Sequence, residues 1–161
     1  MNPRAARCVL TAIMLSGLAI AALPQVGFAQ SNPLIGTWKL NLDKSKYSSG
    51  TAPRNATLNY QQDGQNIRNA TQGIDTQGNP TAGVLMHIYD GQPHPSTGNP
   101  NIDSSAYTRV DANTFIFSRL KAGKLQAIGT GVVSQDGKTL TVNTTGTAGR
   151  GGTDIAVYDK Q

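Results

Sequence analysis

Acid–base catalysis by paired carboxylates needs two acids held at close range in one cleft. Every acid in this sequence is an aspartate, and most stand in turn contexts: Asp63, Asp90 and Asp136 each precede a glycine, and Asp111 opens a hairpin loop. Turn chemistry accounts for these. Asp154 is the one acid inside a predicted strand, and a single carboxylate makes no dyad. A nucleophile is also missing, since Cys8 is the one cysteine and no Gly-x-Ser-x-Gly occurs. His87 falls in a predicted strand and His94 between two prolines, and two histidines fall short of the three or four ligands a metal site wants. The glycines of "GRGGT" at Gly149 precede neither a helix nor a Lys-Ser/Thr pair, so they read as a hairpin loop and not a phosphate cradle. No catalytic residue, metal ligand or cofactor is assigned, which leans against an enzyme.

The strongest binding chemistry belongs to Arg109 and Arg119, on neighbouring predicted strands. Pairing Val110 with Phe115 puts Phe115, Phe117 and Arg119 on one face, with Tyr107, Arg109, Ile116 and Leu120 on the other. One arginine should therefore point inward. An arginine among buried aromatics is a carboxylate or phosphate anchor, because a buried charge must be paired. The alternative is that each snorkels to water from a strand end. Lys44, Lys46 and Arg54 form a basic loop that either attracts anions or a membrane surface, or is simply solvated.

Strands must position these residues. The sequence has no glutamate and is rich in Thr, Gly and Asn, a composition that favours strands and turns over helices. Turn signals at Asp63-Gly64, Gly78, Asp90-Gly91, Asp111, Gly123, Asp136-Gly137 and Gly149 separate segments suited to strands. Those segments are Ile35–Asn41, Ala56–Gln62, Asn66–Ile74, Thr81–Tyr89, Ser104–Val110, Thr114–Leu120, Lys124–Ser134, Lys138–Thr145 and Thr153–Asp159. Short strands at this spacing suggest an antiparallel sandwich or barrel, and a closed meander would remove the exposed edges. Two connections exceed hairpin length: Asp43 to Asn55, and Gln92 to Asp103, whose prolines exclude a central strand. Each is either functional or a cap on one end. The register after Asp136 is open, because a turn longer by one residue flips the whole next strand.

The N-terminus points to a compartment. Arg4 and Arg7 precede an uncharged apolar run of about 16 residues, and Gly27 and Ala29 supply small residues for cleavage. That order marks a secretory signal peptide over residues 1–29, cut after Ala29; the run is shorter than the roughly 20 residues of a spanning helix. Residues 30–161 then form one domain without cysteine, with no membrane span after cleavage. Net charge falls from +5 to +3 when Arg4 and Arg7 leave. That balance concerns solubility and excludes a nucleic-acid arm, since no block of like charge is present.

"GTWKL" at Gly36–Leu40 resembles the first strand of the calycins, the lipocalins and fatty-acid-binding proteins. The resemblance implies a single antiparallel up-and-down β-barrel of about 8–10 strands, with Trp38 packed across a closed base and the long first loop crossing the other end. It implies an arginine over the tryptophan, for which this chain offers Arg150 or Lys160. The segments "GTWKLN…KSKY", "YDGQP", "TGNP", "DANT", "DGKTLTV" and "VYDKQ" are similar to those of a group of small secreted bacterial proteins, a likeness that implies fold and location but no activity. The expectation is a periplasmic or secreted, non-enzymatic barrel holding a small, partly apolar or amphipathic ligand. Its expected lining is Trp38, Tyr60, Tyr107, Arg109, Phe115 and Phe117. The alternative is an envelope-associated interaction or inhibitor module with a packed interior and no ligand.

Overall fold

A computed structural model describes residues 32–48, 52–146 and 152–161; the expected signal peptide lies outside them. Among the described residues there are ten strands: β1 (Gly36–Leu40), β2 (Asn55–Asp63), β3 (Asn66–Ile74), β4 (Pro80–His87), β5 (His94–Pro95), β6 (Ser104–Arg109), β7 (Thr114–Lys121), β8 (Lys124–Val133), β9 (Thr139–Gly146) and β10 (Thr153–Lys160). They form one antiparallel sheet in the order β4-β3-β2-β1-β10-β9-β8-β7-β6-β5. Every step follows the chain except β1 beside β10, which joins its two ends. The sheet curls into a nearly closed barrel, as the alternation of the strands and the calycin resemblance lead one to expect.

Cross-strand registers fix which side chains face inward. One inner row runs Tyr107, Phe117, Gly129, Thr144 and Asp154, and the next runs Arg109, Phe115, Gly131, Val142 and Ala156. Trp38, Leu40, Leu58, Tyr60, Ile67, Leu140 and Tyr158 complete the core from the remaining strands. Gly129 and Gly131 have a packing role, because a Cβ on either would run into the ring of Phe117 or Phe115. The two rings lie on bare backbone and fill the middle of the barrel.

The register corrects one sequence expectation. Arg109, not Val110, pairs with Phe115. Asp111 Oδ1 accepts from the backbone N–H groups of Asn113 and Thr114 at 2.7 and 2.8 Å, and Val110 N–H donates to Thr114 O. This Asx turn sets a loop longer by one residue than the sequence suggested. The slip exchanges the faces of β6, so Tyr107, Arg109, Phe115, Phe117 and Arg119 all share the inner side. After Asp136 the register is Val133 opposite Leu140.

The Gln92–Asp103 loop closes the seam between β4 and β6. His94–Pro95 pairs with Ser104 and Ser105 at the sheet's edge, where proline is tolerated. Thr97 N–H then donates to Val84 O at 3.1 Å, and Val84 N–H donates to Thr97 Oγ1 at 3.1 Å. Gly98, at φ +90°, passes so close to β4 that a Cβ would strike Ala82 O and Gly83 Cα.

At the base, Trp38 is fully buried. Its indole Nε1–H donates to Leu34 O at 2.8 Å. Lys160 supplies the cation above it, with Nζ 5.0 Å from the ring centroid and donating to Pro33 O at 3.0 Å.

Candidate ligand cavity in the barrel

Above the tryptophan the barrel encloses a cavity of about 60 Å³. Aromatic walls come from Tyr60, Tyr107, Phe115, Phe117 and Tyr158, and aliphatic ones from Leu58, Leu85 and Val142. Its polar side is Asn69, Thr71, His87 and Arg119. Strand pairing assembles this set: Tyr60 lies opposite Asn69 and Asn69 opposite Leu85, while Tyr107 lies opposite Phe117.

His87 is the centre of an aromatic box. Its ring stacks on Tyr107 with centroids 3.8 Å apart and planes 17° from parallel. Tyr60 and Phe115 meet it edge-on at 5.3 and 5.2 Å. Burial, reinforced by the positive charges of Arg119 and Arg109, pushes its pKa down to about 3. The imidazole is therefore neutral at pH 7, with one N–H donor and one bare acceptor nitrogen.

Arg119 is half-buried, its guanidinium 4.8 Å over the Phe117 ring. The ion pairs among the described residues are Lys44–Asp159, His94–Asp90 and Lys121–Asp103, so Arg119 has no carboxylate partner there. Its field reaches the cavity walls. Burial raises the pKa values of Tyr60, Tyr107 and Tyr158, and Arg119 pulls each back down.

Four buried polar atoms on this wall lack a protein hydrogen bond: Asn69 Oδ1, both ring nitrogens of His87, and Arg119 Nε. Most buried polar groups in folded proteins are paired, and each exception asks for a reason. Here the exceptions belong to three residues that line one cavity, and they include donors and acceptors together with a cation that has no carboxylate partner. That arrangement can hold a small anion.

Of the six expected lining residues, Tyr60, Tyr107, Phe115 and Phe117 line the cavity. Trp38 seals the base below it, and Arg109 stands exposed near that end, with its guanidinium 4.5 Å over Tyr89. Asn69, His87 and Arg119 belong to the lining as well, beyond the six residues expected from the sequence. The sequence offers a choice between two arginines; the shifted hairpin puts both on the inner side, and position along the strand separates them, with Arg119 half-buried in the cavity lining and Arg109 exposed. The sequence offers His87 as a metal ligand; its position two residues before Tyr89 on an alternating predicted strand is the signal that points it inward. No cluster of three or more potential metal ligands occurs among the described residues.

A larger concavity, about 510 Å³, lies outside the barrel on β6–β9. Its floor is uncharged and includes the row Thr108, Ile116, Thr130 and Asn143. Ile116 and Ile128 are 44% and 47% exposed there. Its polar groups include Asn143 Nδ2, which donates to Thr130 Oγ1 at 3.3 Å. The unpartnered chemistry lies in the smaller cavity inside.

No helix among the described residues is long and apolar enough to cross a membrane. No protein-family model matches the chain, and no curated protein does. Solved structures do. A zebrafish ileal bile acid-binding protein complexed with cholic acid aligns at TM-score 0.53 and 9% identity, over 80% of this chain and 99% of that one. A redesigned β-barrel bound to DFHBI aligns at TM-score 0.41 and 15% identity, over 80% and 95%. At 9% identity the zebrafish likeness speaks for architecture alone, and the architecture is that of a calycin-like antiparallel barrel.

Proposed function

We propose that this protein is a non-enzymatic binding barrel that takes a small, partly apolar anion into its interior, with Arg119 as the anchor. One observation carries the reading: a cation without a carboxylate partner lines a cavity together with Asn69 and His87, whose buried Oδ1 and ring nitrogens also lack protein partners. A low-dielectric aromatic wall strengthens a charge-assisted hydrogen bond to a carboxylate. At roughly 10–15 Å³ per water-sized site, about 60 Å³ admits about four to six non-hydrogen atoms. The bile acid bound by the zebrafish barrel is far larger than that, so this barrel takes a shorter molecule.

Calorimetric titration with acetate and propionate at pH 7 tests the reading. Saturable binding that is abolished by Arg119→Met supports it, and no binding by either acid overturns it. The signal peptide expected over residues 1–29 supports a periplasmic or secreted location for the barrel. Mass measurement of the periplasmic product in a bacterial host, expected to begin at Gln30, tests that placement.

The uncharged outer groove favours a second reading, an interaction module that meets another copy of itself. Sedimentation that shows a dimer in the native protein and a monomer in the double variant Ile116→Lys, Ile128→Lys would establish it; a monomer in both would remove it.

A further inference from the structure

We propose that the ligand is a short hydroxycarboxylate, its carboxylate held by Arg119 and its hydroxyl by His87 and Asn69. This rests on the reading that the interior takes a small anion, and adds what the rest of the polar wall selects. Arg119 satisfies only one end of such a ligand. His87 and Asn69 line the same cavity, and the two ring nitrogens of His87 and Oδ1 of Asn69 are buried without protein partners. Asn69 and His87 are 4% and 1% exposed, so bulk water does not compensate them.

The requirements of these atoms differ. The neutral imidazole offers one donor and one acceptor, and Asn69 Oδ1 is an acceptor. A hydroxyl donates once and accepts up to twice, so it can take the imidazole N–H while donating to Asn69 Oδ1, or donate to the bare ring nitrogen from the other side of the ring. A plain carboxylate only accepts, and leaves both of those acceptors buried without a donor. An uncharged alcohol provides nothing to pair with Arg119. An amino acid brings an ammonium group into a wall already under the fields of Arg119 and Arg109, both of which reach His87. Size sets the last limit. Tyr60, Tyr107, Phe115 and Phe117 close the space to about 60 Å³, which suits a two- or three-carbon chain.

Lactate and propionate differ by the hydroxyl in question, and they form the test. The probes are added to the full chain at pH 7, with affinity read by calorimetry and the ring nitrogens of His87 and the Arg119 Nε–H followed by ¹⁵N NMR. Lactate is expected to bind about tenfold more tightly than propionate and to move the His87 resonances, whereas propionate moves the Arg119 resonance with little change at His87. His87→Phe and Asn69→Leu should each bring the lactate-to-propionate ratio toward one. If either variant fails to fold, the native protein's ratio and its His87 resonances still decide. Equal affinities with an unmoved His87 overturn this inference and leave the small-anion reading intact. No binding of either acid overturns both, and so do shifts confined to the exposed loop around Lys44 and Lys46. Alanine binding as tightly as lactate would overturn the inference on its own, because the site would then be blind to the added cation.

Discussion

Arg119 stands in a position that costs the empty protein stability. A partly buried guanidinium loses hydration without a carboxylate in return, and replacing such a charge with an apolar side chain of similar volume is often neutral or stabilising. Arg119→Met is therefore expected to stabilise the ligand-free protein by about 1 kcal/mol, raising its melting temperature by a few degrees, while it removes anion binding. Thermal unfolding checks the first and calorimetry the second; a destabilised variant would mean that Arg119 has a structural partner. His87 gives a separate signature. Its folded pKa of about 3 lies below the ordinary 6.5, so between those values the unfolded chain holds the extra proton. Acidification through that window favours unfolding, and stability should fall by roughly 1.4 kcal/mol per pH unit below about pH 6.5. The shifted aspartates Asp75, Asp90, Asp103, Asp111, Asp136 and Asp159 have lowered pKa values, so their contributions are lost below about pH 4 and leave the upper window to His87. Urea unfolding between pH 4.5 and 7 should show a slope in the native protein that His87→Phe flattens.

At the scale of the strand pair, β6–β7 and β7–β8 decide what the cavity contains. Asp111 holds the β6–β7 turn through two backbone N–H groups, so Asp111→Ala should cost about 1 kcal/mol without reversing faces that the buried aromatics already fix. Gly131→Ala should cost more, about 2 kcal/mol, because the Phe115 ring occupies the space a methyl would need and overpacking forces it from its rotamer. Chemical denaturation of both variants checks that order. These hairpins also mark how far the sequence could be read. Nine of the ten strands were legible within two residues, because glycine, asparagine and aspartate punctuate them. The tenth, His94–Pro95, is held by its neighbours and shows no strand pattern of its own. The cavity was half legible. The aromatics Tyr60, Tyr107, Phe115 and Phe117 stood out by type. The polar atoms facing them did not, since a one-residue slip in an Asx turn decides whether Tyr107 and Arg109 share a side with Phe115, Phe117 and Arg119. Nor does anything in "RNATQG" show that Asn69 points inward until β3 is registered against β2.

Across the whole molecule, the feature that makes this sheet a container is its weakest join. Neighbouring strands elsewhere share ladders, with a register shift in β7–β8 between Arg119 and Leu120, whereas β4 meets the other edge through the Thr97–Val84 contacts. An unpaired edge leaves a row of backbone groups to water or to another chain, so the strap from His94 to Gly98 protects β4 as well as sealing the cavity. It is therefore the place where the barrel is expected to open at least cost. The ligand cavity is walled on this side by Leu85 and His87 of β4, so a parted seam gives a small anion a way in without unfolding the base. Gly98→Ala tests the point. At φ +90°, with Ala82 O and Gly83 Cα in the way of a Cβ, the substitution should cost about 2 kcal/mol or more, concentrated at the strap. The Val84 amide should then exchange with solvent at least tenfold faster, while the buried Trp38 indole, held by Leu34 O, keeps its protection and its emission. Equal acceleration at both would show that the seam and the base open together, in which case the strap is one part of a single cooperative barrel and offers no separate door.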